Sequence, residues 1–330
     1  MRPIVLFALA TGALAQTTQP DIKVDVPLVS VSCSVTDRNG APVQSLRRED
    51  FNLFDNGQPR DIQYFWQEND LPLTIGLIAD VSGSQVGCIK KHRDTFARFL
   101  QQVLGPKDRA FLVTVGGDVK LVTPLTGSLD ELVDGVNNLE MGQRRGAQLG
   151  EPCRGPDAPR RRGPRRIFGC GGTALWNGVY AASKLVMKPL TGRKALIVLT
   201  DGMDTGSFHS LTDAIEAAQG ADTIVYTIRC LSPMVMASPG MLIRAAVSRG
   251  LHRLSEETGG RAYPTQRDPS AVFGEIEAEL RNLYVLGFTP PEEARTGGVR
   301  KLQVKMARPG LTARARRAYS PVSAGGGHVP

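Results

Sequence analysis

The stretch Leu73-Thr74-Ile75-Gly76-Leu77-Ile78-Ala79 is apolar almost throughout and stops abruptly on Asp80-Val81-Ser82-Gly83-Ser84. So short an apolar run, followed by glycine and a helix-like segment, predicts a strand buried on both faces at the centre of a parallel sheet. Asp80, Ser82 and Ser84 then fall on the loop at its carboxyl end, the edge where open α/β sheets bind ligands. A second run, Ala195-Leu196-Ile197-Val198-Leu199-Thr200, ends in Asp201-Gly202 and brings a second carboxylate to the same edge. Between them, Gly171-Gly172-Thr173 forms a tight loop ahead of an amphipathic helix and offers a third hydroxyl. Two acids and three hydroxyls make an all-oxygen cluster. Such hard donors suit Mg²⁺, Mn²⁺ or Ca²⁺, and the lack of clustered His or Cys argues against zinc or copper.

The three pieces in this order, D-x-S-x-S at 80–84, Thr173 within Gly-Gly-Thr and Asp201 within Thr-Asp-Gly, resemble the metal-ion-dependent adhesion site (MIDAS) of von Willebrand factor A (VWA) domains. The resemblance covers roughly Leu73 to Leu283, a segment of domain size. The flanks add Val-Thr-Asp-Arg-Asn-Gly (35–40), Glu-Asp-Phe (49–51), Asn-Gly-Gln-Pro (56–59) and Tyr284-Val-Leu-Gly-Phe288, which resemble a VWFA-related subfamily of secreted bacterial proteins. The resemblance implies that Ser82, Ser84 and, in one state, Thr173 bind the ion directly, while Asp80 and Asp201 act mainly through water. It also implies a protein partner whose Asp or Glu completes the metal's shell.

Strands and helices alternate along the central part of the chain, which predicts a doubly wound, mostly parallel sheet. Amphipathic helices are expected at Ile89–Val103, behind the Ser128-x-x-Glu131 capping box, and at Leu175–Met187, Leu211–Gln219, Gly240–Thr258 and Ser270–Tyr284. Further strands are expected at Ala110–Val115, Val119–Val122, Thr223–Ile228 and Arg261–Tyr263. Asp204, three residues after Asp201, reads as a turn or capping residue rather than a ligand. Outside this unit, Val24–Thr36 reads as one long strand or two short ones, and Asn39-Gly40 and Asn56-Gly57 read as hairpin turns. The second of these turns joins Phe51–Phe54 to Ile62–Phe65. A β unit over about 45 residues makes a poor core alone. The expected partners are Tyr284–Phe288, Lys301–Met306 and Leu311–Tyr319, giving one β-sandwich from both flanks; the alternative is two separate β appendages. The division is therefore a signal peptide at 1–15, a β segment at 22–70, the VWA-like unit at 71–283 with an arginine-rich insertion at 142–168, a second β segment at 284–320 and a tail at 321–330.

Met1-Arg2, an apolar stretch from Ile4 to Ala10 and Ala13-Leu14-Ala15 have the layout of a signal peptide cleaved after Ala15. The apolar stretch is short of the roughly 20 residues a spanning helix needs, and no later stretch is long enough, so the expected location is periplasmic or extracellular. Five cysteines, Cys33, Cys88, Cys153, Cys170 and Cys230, would enter a compartment that permits disulfides. Cys33 alternates with Val29, Val31 and Val35 and reads as a strand core residue. Cys153–Cys170 is one possible bridge and Cys88–Cys170 another.

The formal charge of +8 is uneven, because residues 144–166 hold eight arginines against Glu151 and Asp157. Arg160, Arg161, Arg162, Arg165 and Arg166 could hold an anionic glycan or lipid surface, or the segment could be an incidental solvated loop. Nucleic acid is excluded as a partner by export. An enzyme is the competing class, but His92, His209, His252 and His328 fall in no hydrolase or zinc-protease motif, and only His209 lies near a site loop. The reading is a non-enzymatic adhesion-type module holding a divalent ion, with a Ser/His/Asp hydrolase the remotest alternative.

Overall fold

A computed structural model describes residues 28–68, 72–85, 87–140, 172–231, 241–264, 268–296 and 298–320. The signal peptide at 1–15, the arginine-rich insertion at 142–168, Cys153, Cys170 and the tail at 321–330 lie outside them.

The N-terminal flank supplies β1 (Val29–Thr36), β2 (Phe51–Asp55), β3 (Gln58–Arg60) and β4 (Tyr64–Glu68). The central unit follows as β5 (Leu73–Asp80), α1 (Ile89–Val103), β6 (Arg109–Val115), β7 (Val119–Thr126), α2 (Leu129–Asn137) and α3 (Leu175–Ala181), which runs on as a π-helical turn over Ala182–Met187. It continues with β8 (Arg193–Thr200), α4 (Leu211–Gly220), β9 (Ile224–Arg229), α5 (Met241–Thr258), β10 (Ala262–Tyr263) and α6 (Pro269–Arg281). The C-terminal flank adds β11 (Leu283–Phe288), β12 (Arg300–Met306), β13 (Thr312–Ala315) and β14 (Ala318–Tyr319).

The central sheet has six strands in the order β10-β9-β8-β5-β6-β7, parallel except where β7 returns antiparallel beside β6. Every residue of β5 and β8 is buried, as expected of strands covered on both faces. Phe96 and Leu100 of α1, Leu132 of α2 and Ile276 of α6 pack on one face. Val179 of α3, Ile215 of α4 and Leu254 of α5 pack on the other. The chain leaves β5 toward β6 and later returns to β8 on the opposite side. The strand order therefore reverses between β5 and β8, which opens a crevice at their carboxyl ends.

The flanks build two four-stranded antiparallel sheets, β13-β1-β11-β4 and β14-β12-β2-β3, each drawing strands from both ends of the chain. Their inner faces share one core, with Val29, Val31, Cys33 and Val35 meeting Phe51, Leu53, Tyr284, Leu286, Phe288 and Leu302. This is the sandwich expected from the alternation, with Cys33 inside it as a core residue.

Three local expectations are corrected. Asn56 and Gly57, at φ 49° and 82°, make a two-residue turn that pairs β2 with the residues directly after it, Gln58–Arg60, and not with Ile62–Phe65. The chain then crosses to the other sheet, where β4 pairs with β11. At Asn39-Gly40, the Asp37 carboxylate accepts from Asn39 N and Ala41 N, so the chain turns tightly and only the bridge Thr36–Pro42 follows. Leu311–Tyr319 splits into β13 and β14 in different sheets, because Arg316 between them is anchored on the Gln219 and Ser30 carbonyls and on Asp222.

Gly76, in the middle of β5, shows how closely the sheet is covered: a Cβ there would lie 2.4 Å from both Leu196 Cδ2 and Phe111 Cζ. Gly76→Ala is therefore expected to destabilise the fold by about 1–3 kcal/mol. Denaturant unfolding monitored by circular dichroism checks this, and an unchanged midpoint would contradict the packing described.

Candidate metal centre

Asp80 is the last residue of β5 and fully buried, and its two oxygens are engaged on different sides. Oδ1 accepts from the backbone N–H of Ser82 at 2.9 Å, folding the loop back over the strand end. Oδ2 accepts from the hydroxyl of Thr200, the last residue of β8, at 2.7 Å. Thr200 Oγ1 also accepts from Gly202 N at 2.9 Å, so one hydroxyl ties the ends of the two central strands and orients the residues around Asp201.

Ser82 directly precedes, and Ser84 lies on, the short 3₁₀ turn Gly83–Gln85 after β5, their hydroxyl oxygens 3.0 Å apart. Two hydroxyls at that distance on successive alternate residues present a pair of neutral donors side by side. Asp201 is also fully buried; Oδ1 accepts from Met203 N at 2.9 Å, while Oδ2 is buried with no hydrogen-bond partner among the described residues.

Thr173 approaches from a third loop and is buried. Its backbone N–H donates to Thr205 Oγ1 at 3.0 Å and its carbonyl accepts from Thr205 N and Gly206 N. Ala174 N donates to the carbonyl of Gly116, just beyond β6. The loops after β5, β6 and β8 and the entry to α3 are thus joined at the carboxyl edge of the sheet. Space there is short: a Cβ on Gly172 would come within 2.6 Å of Thr205 Oγ1.

The electrostatics of this edge are set by two buried acids. Burial pushes the Asp80 carboxyl up to about 6; the Ser82 and Thr200 hydrogen bonds oppose that rise and the nearby Asp201 adds to it. A carboxylate acceptor left without a donor in a buried place costs free energy unless a positive charge meets it. Among the described residues no three His, Cys, Asp or Glu side chains gather as a metal-holding group. The donors assembled here are two carboxylates with hydroxyl oxygens, a set that fits a hard divalent ion.

Asp204 is a cap, though of a helix it does not precede. Its Oδ1 accepts from Leu175 N and Trp176 N at the start of α3 and from the hydroxyl of Ser207, and burial raises its carboxyl above the ordinary range. Asn177 in α3 returns the contact, its Oδ1 accepting from Phe208 N and His209 N. His209 stacks on the Tyr180 ring at 3.6 Å between centroids, so its ring is engaged with an aromatic face. The Ser82 and Ser84 hydroxyls bond each other rather than a histidine.

Sequence reasoning missed Thr200, Gln85 and Arg229. Thr200 stood directly before Asp201 in the motif, and its position at a strand end was the available signal. Gln85 is fully buried beside Ser84, and its Nε2 donates to the carbonyl of Cys230 at 3.4 Å. Arg229, at the end of β9, donates from Nε to the Asp201 carbonyl at 3.4 Å. The disulfide joins Cys88 to Cys230, which corrects the alternative pairing of Cys88 with Cys170. Its physical reason is topological: the start of α1 and the end of β9 both reach the carboxyl edge of the sheet. The Cys153–Cys170 pairing lies outside the described residues.

By sequence, the chain matches no protein-family model and no curated protein. Solved structures with a similar backbone include the conserved hypothetical protein BatB from Bacteroides thetaiotaomicron, at 13% identity and TM-score 0.45, covering 64% of this chain and 100% of that one. Proximal thread matrix protein 1 from the mussel byssus, in a form with a zinc-occupied MIDAS motif, gives 13% identity and TM-score 0.47 over 68% of this chain and 50% of its own. The vWF domain of the type V pili tip protein Mfa5 from Porphyromonas gingivalis gives 13% identity and TM-score 0.42 over 63% and 94%.

The Asp204 cap gives a direct test. Asp204→Ala should lower stability by about 1 kcal/mol through loss of the α3 cap, read from thermal unfolding, and leave metal affinity within a few-fold of wild type. A complete loss of metal binding would move Asp204 from cap to ligand.

Proposed function

We propose that this chain is an exported, non-enzymatic binding module that captures a carboxylate of a protein partner through a divalent cation held by Asp80, Ser82, Ser84, Thr173 and Asp201. The observation that carries this reading is the buried Oδ2 of Asp201, without a hydrogen-bond partner among the described residues, at a strand-end crevice where Asp80 is also buried. Two acids enclosed together repel one another, and a divalent ion relieves both the repulsion and the unmet acceptor.

Ser82, Ser84 and Thr173 would contact the ion and the two aspartates would act from behind, Asp80 held by Thr200 and Asp201 by the Met203 amide. When bound, the ion supplies an electrophilic centre with a coordination position that an Asp or Glu of the partner can fill. Mg²⁺ is the proposed resident, with Mn²⁺ or Ca²⁺ as substitutes. The serine pair supports binding rather than hydrolysis, since a nucleophile needs an adjacent base and these hydroxyls have each other.

The leader at 1–15 supports export with cleavage after Ala15, and the flanking motifs support placement near the secreted VWFA-related proteins. Among the described residues no helix is long and apolar enough to cross a membrane. The sandwich then serves as the base on which the central unit is displayed.

Titration calorimetry of EDTA-stripped protein with Mg²⁺ and Mn²⁺, beside an Asp80→Ala, Ser82→Ala double variant, tests the reading. Wild type is expected to bind a single ion and the variant none. Equal binding by both would overturn the site. For partner capture, loss in EDTA supports the metal route. Capture that survives EDTA and weakens steeply with salt assigns it to the arginine-rich segment at 142–168 instead.

A further inference from the structure

The segment carrying Ser82 and Ser84 is fastened twice to the end of β9, once covalently and once by a buried amide. Gln85 N donates to the Ser82 carbonyl at 2.9 Å and Cys88 N to the Gln85 carbonyl at 2.8 Å, so the segment from Ser82 to Cys88 is bonded stepwise to itself. Cys88 is then bridged to Cys230, and Gln85 Nε2 reaches the carbonyl of that same Cys230. On the far side, Cys230 N donates to the Thr200 carbonyl at 3.0 Å and Arg229 Nε to the Asp201 carbonyl. Thr200 closes the path through Asp80, which returns to Ser82 through its amide. The links form a ring, Asp80 to Ser82 to Gln85 to Cys88 to Cys230 to Thr200 and back to Asp80.

We propose that the Cys88–Cys230 disulfide, together with Gln85, is the positioning device of the metal centre, holding the Ser82–Ser84 turn opposite Asp201 so that affinity for the ion depends on the bridge being closed. The proposal rests on the metal-centre reading above and adds to it residues that do not touch the ion. The bridge and the Gln85 amide are the ring's direct links between the serine turn and the end of β9. With both removed, among the described residues Ser82 is still referred to Asp201 through Asp80 and Thr200 and, less directly, through Val81 on Val115 and the Gly116–Ala174 and Thr173–Thr205 bonds. Ligands tied to a rigid frame lose less freedom on binding, and residues behind a metal's direct ligands commonly govern affinity by 10- to 100-fold. Gln85 is fully buried, with Oε1 lacking a partner among the described residues, which is costly for a residue of purely structural use.

The bridge opens by accepting two electrons and two protons from a dithiol such as dithiothreitol. Its S–S bond breaks to give the Cys88 and Cys230 thiols, and the reductant closes to its own cyclic disulfide.

The test is Mn²⁺ calorimetry on the mature chain with the bridge formed, on Cys88→Ala/Cys230→Ala, on Gln85→Met, and on Leu132→Ala as a destabilised control in the core away from the site. The bridged wild type is measured first; if it binds no Mn²⁺, the metal centre itself fails and the positioning role with it. With wild-type binding in hand, the cysteine variant is expected to weaken affinity about 10- to 100-fold and Gln85→Met several-fold, with Leu132→Ala unchanged. Wild-type affinity in a folded cysteine variant, whatever its loss of thermal stability, overturns the proposal while leaving the metal centre standing. Should that variant not fold, unchanged affinity in Gln85→Met overturns it.

Discussion

The hydrogen bond from Thr200 to Asp80 joins the carboxyl ends of the two central strands, and the arrangement of the site depends on it. The register of β5 against β8 sets Ala79 opposite Leu199, so the next residues, Asp80 and Thr200, leave the sheet side by side. A threonine there can donate to one carboxylate and still accept an amide, that of Gly202, which fixes the course of the chain past Asp201. Valine would fit the strand as well and supply neither bond. The site is therefore a consequence of sheet register as much as of the motif residues.

Burial does the rest. Asp80 lies where its charged form is disfavoured, and the bonds from Ser82 and Thr200 recover only part of that loss, which leaves its carboxyl near 6. In the proposed metal centre, a divalent charge would restore to this acid what desolvation removed. Neutral hydroxyls at Ser82 and Ser84 complement this. In the proposed centre they would supply donors without adding further negative charge, so more of the ion's charge would be left for a partner.

Elements whose signal is local were legible in the sequence. The apolar runs of β5 and β8 declared buried parallel strands, the 3.6-residue spacing of α1 declared its length, and the order of strands and loops placed residues 80–84, 173 and 201 at one edge of the sheet. What escaped depended on pairing at a distance. Ile62–Phe65 was read as the second arm of a hairpin, yet the strand formed there, β4, pairs with β11, more than two hundred residues away. Gln85 was not singled out in the sequence, where nothing marks its burial, and Cys88 could not be matched to Cys230 without the shared edge of the sheet. Asp204 was read correctly as a cap, but its helix lies earlier in the chain.

The two ends of the chain also settle which way the site faces. Leu283, two residues beyond α6, pairs with Glu68, which lies just ahead of β5, so entry to the central unit and exit from it are pinned to one antiparallel pair. That pair sits at the amino edge of the sheet. The Glu279 carboxylate at the end of α6, joined to Ser34 and Arg314, and the α4 and α5 ends held by Arg316 and Arg317 meet the sandwich there too. Asp80 lies at the other end of β5, seven residues or about 23 Å of extended strand away. A base assembled from both flanks at one edge leaves the opposite edge free of it. Capture of a protein partner at the proposed metal centre would need that separation.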